Sequence, residues 1–223
     1  DDTDATALTL NATPSVAEGG NISYTATLSQ AAVTAMNITL SNGATIAIAA
    51  GAASGTAVVP APSDDVYVDA GTVSVNIASS TGGGFEAVAL SPAAAVTTVS
   101  DTIDITTATL TATPSVAEGG LITYPVSLAA PVTGGPVTVT LAGGQIITIG
   151  VGAASGAVTA AAPDNVYLGG GSVSNSIATI AGGNFENLVA NPASATTTLT
   201  DDGDVTTVSL AATPSVVEGG SIT

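Results

Sequence analysis

The sequence contains no lysine, arginine or histidine, whereas 17 of its residues are aspartate or glutamate. Without basic side chains the chain cannot neutralise a phosphate backbone or an anionic membrane surface, so we expect neither nucleic acid nor a membrane as a partner. Charged residues make up 8% of the chain and hydrophobic residues 45%. This balance is typical of a folded protein rather than of an acidic disordered tail.

Cysteine is also absent, which excludes disulfides, thiolate metal sites and thiol nucleophiles. The chain has no tryptophan, and aromatic residues are 3% of it, so a stacking platform for sugars is poorly supplied. A glycosidase needs only two carboxylates, and Asp64 with Asp65 is the candidate pair. Because acids recur in each repeat of the chain, we expect a structural role for them and no enzyme.

No run of 18 apolar residues occurs, and we therefore predict neither a transmembrane helix nor a signal peptide within this sequence. Targeting signals could lie outside it, since the chain starts and stops within a repeating array.

One octapeptide recurs at a spacing of 100 residues. TPSVAEGG occupies Thr13–Gly20 and Thr113–Gly120, and TPSVVEGG occupies Thr213–Gly220. A period of this length is sufficient for a unit with its own core, unlike the short periods of solenoids. We predict domains at residues 1–100 and 101–200, and we predict that residues 201–223 supply the first strand of a truncated third repeat.

Alternation of polar and apolar residues runs through each repeat and predicts short half-buried strands. Seven such segments with turn residues between them predict an all-β fold, with seven-stranded antiparallel immunoglobulin-like β-sandwiches joined end to end. Pro14 cannot donate to a ladder, so it should divide the first strand into two halves. The predicted core of the first repeat is Ile22, Tyr24, Leu28, Ile38, Leu40, Ile46, Ile48, Val73, Val75 and Ile77.

Strand directions in such a sandwich place several acidic loops at one pole, next to the linker and to a loop of the following repeat. The first predicted set of metal ligands comprises Glu18, Asp64, Asp65, Asp69, Asp101, Asp104 and Glu186. The second predicted set comprises Glu118, Asp164, Asn165, Asp201, Asp202 and Asp204, with Gly169 at the position of Asp69. Tyr67 and Tyr167 follow these acids, and either a packing role or ligand stacking is open for them.

Calcium is the ion that these residues favour. Two like charges about 4 Å apart repel by about 4 kcal/mol at an effective dielectric of 20, and the sequence offers no basic partner. Ca²⁺ accepts about six to eight oxygen ligands in tolerant geometry, Mg²⁺ demands stricter geometry, and zinc favours histidine or cysteine. No EF-hand loop is present. The alternative is that the acids are solvated loop residues that only keep the protein soluble.

The segments ATPSVAEGG, LSNGA, DDVYVD, GGNFENL and TTTLTDD, in this order, resemble the tandem immunoglobulin-like extender repeats of giant RTX adhesins. These LapA-type adhesins are exported by type I secretion to the surface of Gram-negative bacteria. The resemblance implies a calcium-stiffened stalk on the extracellular bacterial cell surface, which projects distal binding domains for cell adhesion and biofilm formation. Neighbouring repeats of the same chain would be the partners, and the departures at Asn165 and Gly169 imply unequal calcium sites.

Two other functions remain open from the sequence. A carbohydrate-binding or protein-binding module would require an exposed aromatic or polar cluster away from the acids. A subunit of an extracellular fibre, pilus or S-layer would self-associate, with the strand after residue 201 pairing with another chain.

Overall fold

The structure, a computed structural model, describes residues 4–223, so residues 1–3 of the predicted first repeat lie outside the described residues. The described part of the chain contains twenty β-strands and no helix. The protein is therefore all-β, as the alternation predicts. No helix in residues 4–223 is suited to crossing a membrane.

Ten strands form in the first repeat. They are β1 (Ala5–Ala12), β2 (Ser15–Ala17), β3 (Asn21–Leu28), β4 (Met36–Leu40), β5 (Thr45–Ile48), β6 (Ser54–Pro60), β7 (Gly71–Val75), β8 (Ile77–Gly82), β9 (Ala87–Leu90) and β10 (Ala95–Ser100). They build three sheets with the orders β6-β3-β1-β9, β2-β10-β7 and β5-β4-β8.

The second repeat contains the same succession of strands. They are β11 (Ile105–Leu110), β12 (Ser115–Ala117), β13 (Leu121–Ser127), β14 (Val137–Leu141), β15 (Ile146–Ile149), β16 (Ser155–Ala161), β17 (Gly171–Asn175), β18 (Ile177–Gly182), β19 (Asn187–Ala190) and β20 (Ala195–Thr200). Their sheets have the orders β16-β13-β11-β19, β12-β20-β17 and β15-β14-β18.

These ten strands differ from the predicted seven antiparallel ones, and the seven-stranded immunoglobulin-like topology is not confirmed. Three additional strands account for the difference: β2, β8 and β9. The first predicted strand divides at Pro14, as expected, and its second half joins another sheet. In addition, β1 pairs with β9 and β2 pairs with β10 in parallel. Alternation within a strand predicts its faces but not its partner, which explains why the pairing was missed.

The core of the first repeat consists of the inward-facing positions of these strands. Of the ten predicted core residues, eight are buried, whereas Val73 and Ile77 are partly buried and pack against the others. The strand β1 alternates strictly between exposed and buried positions and contributes Leu8, which is fully buried. The alternation therefore identified the core-facing side of the strands correctly.

By their contacts, the residues form two compact units. Among the described residues, the first unit extends to residue 106 and also includes residues 184–188, and the second comprises residues 107–183 together with residues 189–223. Residues 201–223 contain no strand and are exposed throughout. That they open a third repeat stays a prediction.

Candidate metal centre

The octapeptide forms a turn that buries its glutamate. The strand β2 ends at Ala17, and the Glu18 backbone N–H donates to the Ser100 carbonyl at 3.0 Å. Gly19 has φ of +66°, a backbone conformation that residues other than glycine rarely adopt. A Cβ on Gly20 would lie 2.9 Å from the Ala17 carbonyl oxygen and 2.5 Å from a Val16 methyl. Both glycines are thus required sterically, and they hold Glu18 against the end of β10.

We name Glu18, Asp101 and Glu186 the first acid cluster. All three belong to the first compact unit, and each offers one carboxylate oxygen within 4.8 Å of the other two. The Glu18 side chain is only 6% exposed. Oxygens bound to one Ca²⁺ at about 2.3–2.6 Å lie no more than about 5 Å apart, so this spacing fits one shared ion.

Two oxygens of the first acid cluster are buried without a hydrogen-bond partner in the described structure: Glu18 Oε2 and Glu186 Oε1. The other Glu186 oxygen, Oε2, accepts the Asp104 backbone N–H at 2.7 Å. A buried, unpartnered carboxylate oxygen is costly, and no basic side chain exists in this sequence to neutralise it. A hard cation bound by oxygen would remove both penalties, which makes the cluster chemically suited to a metal ion.

We name Glu118, Asp164 and Asp202 the second acid cluster, which belongs entirely to the second compact unit. Its carboxylate oxygens meet the same 4.8 Å limit. Glu118 is 6% exposed and its Oε2 atom is buried without a hydrogen-bond partner, whereas Asp164 and Asp202 are exposed. The buried glutamate with an unpartnered oxygen therefore occurs in both repeats.

The two clusters differ in the neighbour of the buried glutamate. In the first, the Glu18 carboxyl contacts those of Asp69 and Asp101 closely enough to share a hydrogen bond when one of them carries a proton. In the second, Gly169 replaces Asp69, and Asn165 Nδ2 donates to Glu118 Oε1 at 3.0 Å. Asn165 thus turns its amide nitrogen toward Glu118, and its oxygen accepts the Tyr167 backbone N–H.

Hydrogen bonding, burial and neighbouring negative charges raise the pKa of three of these acids. Hydrogen bonding to Asp69, burial and hydrogen bonding to Asp101 raise the pKa of Glu18 from 4.5 to about 8. Burial, and then the charges of Asp201 and Asp202, raise the pKa of Glu118. The pKa of Asp204 is also raised, chiefly by the charge of Asp202. Without a cation, the folded protein therefore holds protons that the unfolded chain would release.

This predicts the pH dependence of stability in the presence of a chelator. Between pH 4.5 and about 8, the folded chain retains a proton on Glu18 that the unfolded chain has lost. The free energy of unfolding of the metal-free protein should therefore fall as the pH rises through this window. Thermal melts in chelator at both ends of the window measure it, and Glu18→Gln should flatten the slope. The control is Glu218→Gln, which changes an exposed octapeptide glutamate. A wild-type melting temperature that rises with pH over this window would contradict the prediction.

The other predicted ligands lie around the clusters in different roles. Asp64 accepts a hydrogen bond from the Thr102 hydroxyl. Asp65 accepts the Tyr67 backbone N–H at 2.8 Å, which forms a local turn. Asp104 contributes its backbone N–H to Glu186, as described above. That these acids, and Asp69, Asn165, Asp201 and Asp204, are metal ligands stays a prediction.

Sequence reasoning missed the polar groups that position the acids. The Ser100 carbonyl accepts a hydrogen bond from the Glu18 backbone N–H, and the Thr200 carbonyl accepts one from the Glu118 backbone N–H at 2.9 Å. The Thr102 hydroxyl donates to Asp64. Every residue has a backbone carbonyl, so the sequence does not show which carbonyl accepts a given hydrogen bond. One threonine in a threonine-rich chain likewise could not be singled out from the sequence.

Comparison with known protein families gives one match. A family model described as the LapA domain matches residues 4–102 and, a second time, residues 104–202. A search of curated proteins found no match. The two matched segments follow each other and together cover most of the sequence. The chain therefore belongs to the LapA domain family and carries its domain twice in tandem.

Proposed function

We propose that this chain is a structural extender, a stalk segment of a large bacterial surface adhesin, and that Ca²⁺ bound at the two acid clusters stiffens it. In this role each repeat is an immunoglobulin-like sandwich of about 100 residues, with boundaries near residues 100 and 200. The protein would act outside the cell, at the bacterial surface, in adhesion and biofilm formation. The proposed role is non-catalytic.

The observation that carries the proposal is the buried, unpartnered carboxylate oxygen of Glu18. It is surrounded by further carboxylates in a chain without any basic residue. Glu18 and Asp69 also line a pocket of about 200 Å³ beside the first acid cluster, which leaves Glu18 within reach of solvent ligands. Ca²⁺ suits the site better than Mg²⁺, because it accepts irregular sets of oxygen ligands.

Stiffness would follow from where the ligands lie in the sequence. Glu18 precedes the linker around residues 101–104, Asp101 belongs to that linker, and Glu186 comes from the second repeat. One ion bound by all three would link the first repeat, the linker and the second repeat, and would therefore restrict bending at the linker. Without the ion the same three carboxylates repel one another. A rod gains reach in proportion to its length, whereas a flexible chain gains only as about the square root of length.

Small-angle scattering with and without calcium tests this mechanism. We expect the maximum dimension of the unmutated chain to decrease when calcium is removed by a chelator. Glu186→Gln should give the smaller dimension, and a weaker response, even with calcium present. The matched control is Glu86→Gln, which removes one charge from the corresponding loop of the first repeat. Equal maximum dimensions of the unmutated chain with and without calcium would contradict calcium-dependent stiffening and would leave the octapeptide with the role of a turn.

A further inference from the structure

A short apolar segment is partly covered in the first compact unit, where Val66 and Tyr67 are half-buried and Val68 is 50% exposed, and it is more exposed in the second. In the first unit, Tyr67 lies against Phe185 with ring centroids 5.4 Å apart and an interplanar angle of 31°. In the second unit, the segment at the corresponding place is Val166–Leu168. Its exposed fractions are 58% for Val166, 78% for Tyr167 and 93% for Leu168. Such a contiguous exposed patch marks an interaction surface.

The covering residues in the first unit make backbone hydrogen bonds as well as the ring contact. The Val68 N–H donates to the Asn184 carbonyl at 3.0 Å, and the Glu186 N–H donates to the Val66 carbonyl at 3.1 Å. Asn184 Nδ2 also donates to the Val68 carbonyl at 2.9 Å. Together they form an antiparallel bridge at Tyr67 and Phe185, and Phe185 is buried there. The Asn184–Glu186 segment thus pairs with Val66–Val68 as a short antiparallel strand, and the Phe185 ring packs against Tyr67.

We propose that Val166–Leu168 is a docking surface for the Asn-Phe-Glu loop of a further copy of this repeat, held as Asn184–Glu186 is held in the first unit. The inference rests on the proposed function, because it assumes a longer tandem array. The contacts in the first unit specify the occupant. Its aromatic side chain would pack against Tyr167, as Phe185 packs against Tyr67. Its backbone would bond to Val166 and Leu168, as the Asn184–Glu186 backbone bonds to Val66 and Val68.

The second acid cluster makes this docking dependent on calcium. In the first acid cluster, the glutamate that follows Phe185 is one of the three grouped carboxylates. A docked loop of the same sequence would bring an equivalent glutamate toward Glu118 and Asp202. That addition is unfavourable without a cation, so docking should depend on calcium.

Tyrosine nitration provides the test, because the four tyrosines differ in exposure. Tyr24 and Tyr124 are 1% and 2% exposed, whereas Tyr167 is 78% exposed. Tetranitromethane should therefore modify Tyr167 first in the present chain. An extended chain is made by adding a copy of residues 124–200 after Thr223, with Tyr167→Phe in the added copy only. In calcium, we expect nitration of Tyr167 to be several-fold slower in this chain, because the tethered loop has a high effective concentration.

Two matched variants separate docking from general effects. Phe185→Ala made only in the added copy should restore fast nitration of Tyr167. The same substitution at Phe185 of the present chain should accelerate nitration of Tyr67 but not of Tyr24. Because the sequence contains no lysine or arginine, the modified residues are mapped with proteases that cut at aspartate or glutamate.

The outcomes also distinguish this inference from the proposed function. Equal nitration of Tyr167 in the two chains, with the added copy folded by circular dichroism, would overturn the docking surface. So would a Tyr67 that is insensitive to Phe185→Ala. Calorimetric calcium uptake without protection of Tyr167 would reject docking alone. Protection of Tyr167 without any calcium uptake would support the docking surface, but it would reject both the calcium dependence of docking and the calcium-dependent stalk.

Discussion

Calcium at about one hundred times its dissociation constant should raise the melting temperature of this chain by about 10–20 °C. Binding to the folded state alone adds about 2.7 kcal/mol at that concentration, and 1 kcal/mol shifts the melting temperature of a domain of 60–100 residues by about 4–8 °C. The expectation follows from Glu18 and Glu118, whose buried, unpartnered oxygens would gain a ligand partner when an ion binds. Calorimetric scans in calcium and in excess chelator measure the shift.

Three glutamates of the octapeptide allow matched controls for this result. Glu18→Gln should abolish the calcium response of the first unit and leave that of the second, and Glu118→Gln should do the reverse. Glu218→Gln removes the same charge from the third copy, which is exposed, and should leave both responses intact. If calorimetry detects no calcium uptake, and chelator leaves the melting temperature unchanged, the acid clusters are not calcium sites.

Truncation of one core isoleucine should destabilise one unit strongly. Ile147 on β15 is 1% exposed and pairs with Val139 on β14, so Ile147→Ala should cost about 2–5 kcal/mol. Its neighbour Ile146 is 60% exposed, and Ile146→Ala should change stability by no more than about 0.5 kcal/mol. Urea denaturation in calcium, followed by circular dichroism, measures both changes.

The corresponding change in the first unit tests whether the repeats are separate domains. Ile46 lies on β5, is fully buried and pairs with Ile38. Ile46→Ala should lower one unfolding transition, and Ile147→Ala should lower the other, because each isoleucine belongs to a different compact unit. A single transition that both substitutions lower by the same amount would show that the chain unfolds as one cooperative unit, contrary to the proposed boundaries.

Local pattern accounts for the parts of the fold that were predicted correctly. Each strand carries its alternation within eight residues or fewer, so buried residues such as Ile22, Tyr24 and Ile38 could be identified without a structure. Pro14 interrupts the first strand for a reason that lies in its own ring. The parallel pairing of β1 with β9 was not predicted, because it joins residues about 80 positions apart and depends on how the whole sheet assembles.

Composition and spacing alone determined that this chain is a tandem acidic repeat that contains no basic side chain, because counting residues requires no coordinates. Only the tertiary structure decided which acids are buried: Glu18 and Glu118 are buried, whereas Asp164 and Asp202 remain exposed. It also decided that Tyr67 is partly buried against Phe185 whereas Tyr167 is exposed, although both follow the same kind of loop. The physical reason is that the loss of solvent around a side chain depends on segments that lie far from it in the sequence.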